Sequence, residues 1–188
     1  MVRKFLVLSG LVGWIAFSAS AEEHRHLGAH VHGHGRLNIA IEDKTVSLEL
    51  DVPGADIVGF EHEPKTPEEK AALEEAKAKL ARGLSLFTPS AEAHCTQKSA
   101  TIGLEAEHGD EHEHDQEAGG PEQHAHADFN AEYAFECASP SQIKSMTFGY
   151  FAVFPNAQEL DISVISPKGQ TSYEVTRQKP ALDLTGIM

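Results

Sequence analysis

The chain has 188 residues, with 15 Lys and Arg against 29 Asp and Glu and a formal net charge of −14 when histidines are neutral. That balance argues against nucleic acid and anionic membrane surfaces as partners and favours cations. Twelve histidines are crowded into a few short stretches, and imidazole is the commonest metal ligand.

Met1-Val2-Arg3-Lys4, the apolar stretch Phe5 to Phe17 and then Ala19-Ser20-Ala21 form the pattern of a cleavable secretory signal over residues 1–21. The apolar run is too short for a spanning helix, and no later stretch reaches the roughly 20 residues that a membrane span needs. The mature protein is expected to be soluble and exported. Loss of Arg3 and Lys4 takes the formal charge from −14 to −16 and leaves about 167 residues, enough for one domain with a single core. Residues 22–29 are polar and glycine-bearing and read as a mobile arm. Residues 30–188 read as one metal-binding domain.

Residues 36–42 and 45–52 alternate apolar with polar side chains around Asp43-Lys44, which predicts a hairpin with one buried face, ended by Pro53-Gly54. Thr66-Pro67-Glu68-Glu69 combines an N-cap, a first-turn proline and a capping-box glutamate. It predicts a surface helix over 67–82, with Leu73, Ala76 and Leu80 on one face and Gly83 as its C-terminal cap. Residues 91–104 alternate loosely, while Phe129, Tyr133, Phe135 and Cys137 share a parity, so paired strands are expected on either side of a long excursion. That excursion, residues 105–128, carries nine Asp and Glu, five His and no Lys or Arg. Such a composition cannot bury enough apolar surface to order itself without a ligand. Residues 143–154, 160–165 and 172–177 read as further strands, with a turn at Pro167-Lys168-Gly169-Gln170. The expected fold is mainly β or α+β: an antiparallel sheet or sandwich with one surface helix and a long histidine-rich disordered loop.

His30, His32 and His34 share parity, so in a strand that begins early they project from one face about 6.8 Å apart, and two adjacent members can converge on one ion. A third ligand must come from elsewhere. His62, in Glu61-His62-Glu63 just after the second strand, is the best candidate, because Pro64 biases Glu63 toward an extended conformation. His94 is another. In the loop, His108, His112, His114, His124 and His126 lie among Glu107, Asp110, Glu111 and Asp115, a metal-binding composition that reads as a collector weaker than an ordered site. Three methionines and two cysteines offer little for Cu(I). Imidazole with carboxylate suits Zn2+, with Cu2+ and Ni2+ as alternatives.

Cys95 and Cys137 form an even pair in a chain expected to be exported, which makes a disulfide between them the default. A thiolate metal ligand is the alternative, although neither cysteine belongs to a C-x-x-C spacing. The loop a disulfide would close, about 40 residues long, is the histidine-rich one.

The segment Gly28-Ala29-His30-Val31-His32-Gly33-His34-Gly35, the later Gly59-Phe60-Glu61-His62-Glu63-Pro64 before the capped helix, the two cysteines flanking a histidine-rich insert, and Phe154-Pro155 with Pro167-Lys168-Gly169-Gln170 together resemble the ZrgA-like family of bacterial periplasmic zinc-binding proteins. The resemblance covers nearly the whole mature chain. It implies a metal buffer or chaperone for zinc acquisition, made when zinc is scarce and working beside an ABC-type zinc importer or its solute-binding protein. It carries His30, His32, His34 and His62 over as site positions.

Two other classes compete. A zinc-dependent hydrolase could use Glu61 or Glu63 as a base, but H-E-x-x-H and G-x-S-x-G are absent from the sequence, so no enzyme activity is expected. An exported β domain whose acidic loop is merely solubilising is the other. A primary solute-binding protein resembles a two-lobed α/β structure, for which this chain has neither the length nor the pattern.

Overall fold

Alternation builds the larger sheet. The computed structural model describes residues 31–106 and 127–187. In it, β1 (His34–Glu42) and β2 (Thr45–Pro53) form the expected antiparallel hairpin. Leu37, Ile39 and Ile41 of β1 and Val46, Leu48, Leu50 and Val52 of β2 are buried. Asp43 turns the chain at a φ of 50°, in the left-handed region that aspartate enters more readily than most residues.

On one side of the hairpin, β5 (Ala127–Cys137) pairs antiparallel with β2, and β4 (Cys95–Ala106) pairs antiparallel with β5. Phe129, Tyr133, Phe135 and Cys137 face the core together, as their shared parity predicts. On the other side, β7 (Glu159–Ser166) lies parallel to β1, and β8 (Gly169–Thr176) returns antiparallel to β7. The six strands run in the order β4-β5-β2-β1-β7-β8. The expected antiparallel sheet therefore contains one parallel pairing, made possible by the long crossover between β1 and β7.

A second sheet of three short strands, β3 (Phe87–Pro89), β6 (Ser145–Phe148) and β9 (Ala181–Asp183), has the order β3-β6-β9. Its residues share one apolar core with the larger sheet. Phe87 of β3 meets Tyr133 of β5 edge-on at 5.7 Å and stacks on Tyr150 at 6.0 Å between ring centroids. Such aromatic pairs add about 0.5–1.5 kcal/mol each beyond their area.

The described fold also has four α-helices: α1 (Gly54–Ile57), α2 (Pro67–Leu80), α3 (Gly83–Leu86) and α4 (Tyr150–Val153). The α2 helix begins with the expected capping box, Thr66 Oγ1 accepting from the Glu69 N–H and Glu69 accepting from the Thr66 N–H. Leu73, Ala76 and Leu80 are its buried residues.

Several element bounds differ from those expected, and short helices accompany the one expected; residues 91–93 form a 3-10 turn before β4 starts at Cys95. The helix stops at Leu80, and Gly83 opens α3 instead of capping α2; a Cβ there would lie 2.5 Å from the Tyr133 ring, so glycine permits a close approach. Residues 143–154 are not one strand but β6 followed by α4, because a short apolar run has no periodicity that separates strand from helix. The excursion is narrower than 105–128, since β4 extends through Ala106 and β5 begins at Ala127. Residues 107–126, and with them the expected disorder, lie outside the described residues.

Cys95 and Cys137 are joined by a disulfide at the paired ends of β4 and β5. The thiolate alternative is thereby set aside. The bond encloses the histidine-rich excursion in sequence but sits at the far end of the strand pair from Ala106 and Ala127. No helix among the described residues is long and apolar enough to cross a membrane.

Candidate metal centre

Strand register gathers chemistry at one end of the larger sheet. There β1 starts at His34, β2 ends at Pro53, β5 starts at Ala127, β4 ends at Ala106 and β7 starts at Glu159. Val31, His32, Gly33 and His34 make a tight turn, the His34 N–H donating to the Val31 carbonyl at 3.0 Å. Gly33 takes a φ of 86°, where any side chain is strained, and a Cβ would stand 3.1 Å from Gln158 Cγ. Because β1 begins only at His34, His32 lies in this turn and not on an extended strand as the shared parity suggested.

Each described histidine of the predicted set has a carboxylate beside it. His32 Nε2 is 2.7 Å from Glu61 Oε1, and His34 Nδ1 is 3.4 Å from Glu159 Oε1. The second pair follows directly from the parallel register that sets His34 opposite Glu159. A carboxylate that engages one ring nitrogen fixes the imidazole and leaves the other nitrogen for a metal. By that logic His34 offers Nε2 and His32 offers Nδ1.

His62 is arranged differently. Its ring stacks on Phe60 at 5.0 Å, Nδ1 lies 3.0 Å from the Glu63 carbonyl and Nε2 lies 3.7 Å from Glu69 Oε1. It is directed toward the start of α2, while its neighbour Glu61 reaches His32. His94 is exposed with a φ of 49° at the disulfide end of β4, a strand length away from this cluster. His30, His108, His112, His114, His124 and His126 lie outside the described residues.

Asp56, in α1, is a residue that the sequence reading missed. It is only 2% exposed, and its Oδ1 accepts the Gly33 N–H at 2.8 Å. Burial pushes its carboxyl above the ordinary carboxylate range; the Gly33 bond, His32 and His34 oppose that shift, and Glu61 adds to it. Buried Tyr150 lies close enough for the Asp56 charge to raise its hydroxyl pKa further, beyond the larger effect of burial. The sequence signal for Asp56 was slight: one carboxylate in the otherwise apolar stretch Ala55 to Val58.

Among the described residues, two arginines at this end are both engaged. Arg36 donates to Asp51 at 3.0 Å, and Arg177 donates to the carbonyls of Phe154 and Ala157 at 2.7 and 2.6 Å. Neither stands against His32, Glu61 or Asp56 as a counter-charge. Among the described residues no three His, Cys, Asp or Glu side chains form a group that could hold a metal ion. The described residues at this end present two imidazoles and their carboxylate partners, donor types that suit a borderline divalent cation such as Zn2+.

The fold and this end of it define a β-sheet protein with histidines and carboxylates gathered beside the root of a histidine-rich tract. Residues 29–184 match the family model for the ZrgA family zinc uptake protein. The chain belongs to the ZrgA family, which is one of zinc uptake and not a known family of enzymes. No curated protein matches the chain.

Proposed function

We propose that this chain is an exported, periplasmic zinc-binding protein that captures zinc and passes it on as a buffer or chaperone for an ABC-type importer or its solute-binding protein. Residues 1–21 act as its signal peptide, residues 22–29 as an arm and residues 30–188 as the zinc-binding domain. His32 and His34, with His30 contributing, form the tighter site, which His62 joins once its ring turns away from Glu69. His108, His112, His114, His124 and His126 collect further ions more weakly. The protein has no catalytic role.

The observation that carries this reading is spatial: Ala106 and Ala127, the described residues that flank the histidine-rich tract in sequence, are at the same sheet end as His32, His34, Glu61 and Glu159. Membership of a zinc uptake family supplies the metal. The strongly acidic chain adds long-range attraction for cations.

Histidine binds metal only when neutral, so protons compete with the ion and affinity falls on acidification. Zinc titrated by calorimetry should bind tightly at pH 7.5 and at least tenfold more weakly at pH 5.5. Equal affinity at the two pH values would show that carboxylates hold the ion and would overturn the histidine-based reading.

A further inference from the structure

Gly33 is the pivot between His32 and His34, and it is gripped on two sides. Its N–H donates to Asp56 Oδ1 at 2.8 Å, and its carbonyl oxygen accepts from the N–H groups of Gln158 at 2.8 Å and Glu159 at 2.9 Å. The two gripping segments are themselves tied together, Asn156 Nδ2 donating to the Ala55 carbonyl at 3.0 Å. Arg177 holds the second segment through the Phe154 and Ala157 carbonyls.

Asp56 is an expensive side chain to place there. It is almost wholly buried, and its Oδ2 has no hydrogen-bond partner among the described residues. An uncompensated buried carboxylate oxygen costs free energy that an apolar side chain of similar size would not. What Asp56 does supply is the acceptor that fixes the histidine turn, with His32, His34, Glu61 and Tyr150 as the titratable groups that feel its charge.

We propose that Asp56 is the positioning residue of the zinc site, holding the Gly33 peptide so that the His32 and His34 imidazoles are set in place before the metal arrives. The proposal rests on the zinc-binding reading above and adds to it the means by which a turn, rather than a strand, presents the pair. A pair already held loses less freedom on binding, and that difference appears as affinity.

The test compares the parent protein with D56A and D56N, using ZnCl2 calorimetry, the apo melting temperature and the amide proton resonance of Gly33 without metal. Asparagine keeps an acceptor for the Gly33 N–H; alanine does not. D56A should weaken the tight phase by about tenfold, the lower end of the loss seen when partners behind metal ligands are removed. D56N should return it to within about threefold of the parent, and the Gly33 amide proton should move upfield in D56A alone. If D56A does not fold, D56V, which fills the space without an acceptor, replaces it. A folded D56A or D56V that binds zinc as tightly as the parent overturns the proposal. So does a D56N as weak as D56A, which would make Asp56 a ligand or a charge and not a positioning group. A parent protein without a tight phase overturns the zinc reading itself, and the parent titration alone identifies that failure.

Discussion

Replacing Cys95 and Cys137 together by serine should lower the stability of the fold by about 4 kcal/mol while leaving the zinc affinity of the folded protein unchanged. The first half follows from loop closure: the bond joins residues 42 apart, and in the chain-entropy model a loop of that size constrains the unfolded state by about 4 kcal/mol. In a chain of this length, that is a fall in melting temperature of roughly 8–16 °C. The second half follows from position. At about 3.3 Å per residue, β4 puts roughly 35 Å between the disulfide and the sheet end that carries His32 and His34. Thermal unfolding of parent and double variant, followed by zinc titration of both well below their melting temperatures, checks the two halves together. Loss of zinc binding in a folded double variant would restore the cysteines as ligands and move the site to the other end of the sheet.

Gly54→Ala should be a damaging single methyl in the region of the site. A Cβ at Gly54 would lie 2.5 Å from the Ala127 carbonyl oxygen and 2.8 Å from that of Phe60. Both are backbone atoms, and no rotamer change relieves the clash. The start of β5, where the histidine-rich tract returns, and the segment from α1 to Glu61 must therefore separate. Overpacking of this kind costs about 1–3 kcal/mol, and the strain falls on the segment bearing Asp56 and Glu61. Zinc affinity should drop with stability. Gly59→Ala is the control: Gly59 has a φ of 87° but nothing within 4 Å of a new Cβ, so it should cost only about 1 kcal/mol of backbone strain. Unfolding curves and titrations of the two variants give the comparison. A Gly54→Ala protein no less stable than Gly59→Ala would mean that the two segments are not packed as described.

Features set by local chemistry were legible in the sequence. The β1–β2 hairpin, the Thr66–Glu69 capping box and the shared face of Phe129, Tyr133, Phe135 and Cys137 each depend on residues near one another in the chain. Features set by long-range packing were not. In residues 143–154 only Gly149 marks the boundary between β6 and α4, and it does not tell strand from helix on its far side, where Tyr150 and Phe151 enter the core. The parallel pairing of β1 with β7, and with it the meeting of His34 and Glu159, joins residues more than a hundred positions apart. Asp56 escaped for the same reason: its partner, Gly33, lies 23 residues away across a hairpin. The histidines were found by composition, their carboxylate partners only by fold. His62 illustrates the limit: chain proximity suggested that it could be aimed at the first pair, while its contacts with Phe60 and Glu69 came only from the fold.

The central claim is that an ordered zinc site stands at the Gly33 end of the sheet, apart from the weaker tract that begins and ends beside it. Zinc calorimetry at pH 7.5 tests it most directly, on the parent, on a variant with His30, His32, His34 and His62 all changed to alanine, and on a variant lacking residues 107–126. The account predicts that the alanine variant loses the tight phase and keeps the weak ones, and that the deletion does the reverse. If the alanine variant titrates like the parent and the deletion abolishes tight binding, the tight site belongs to the tract and the sheet end holds none.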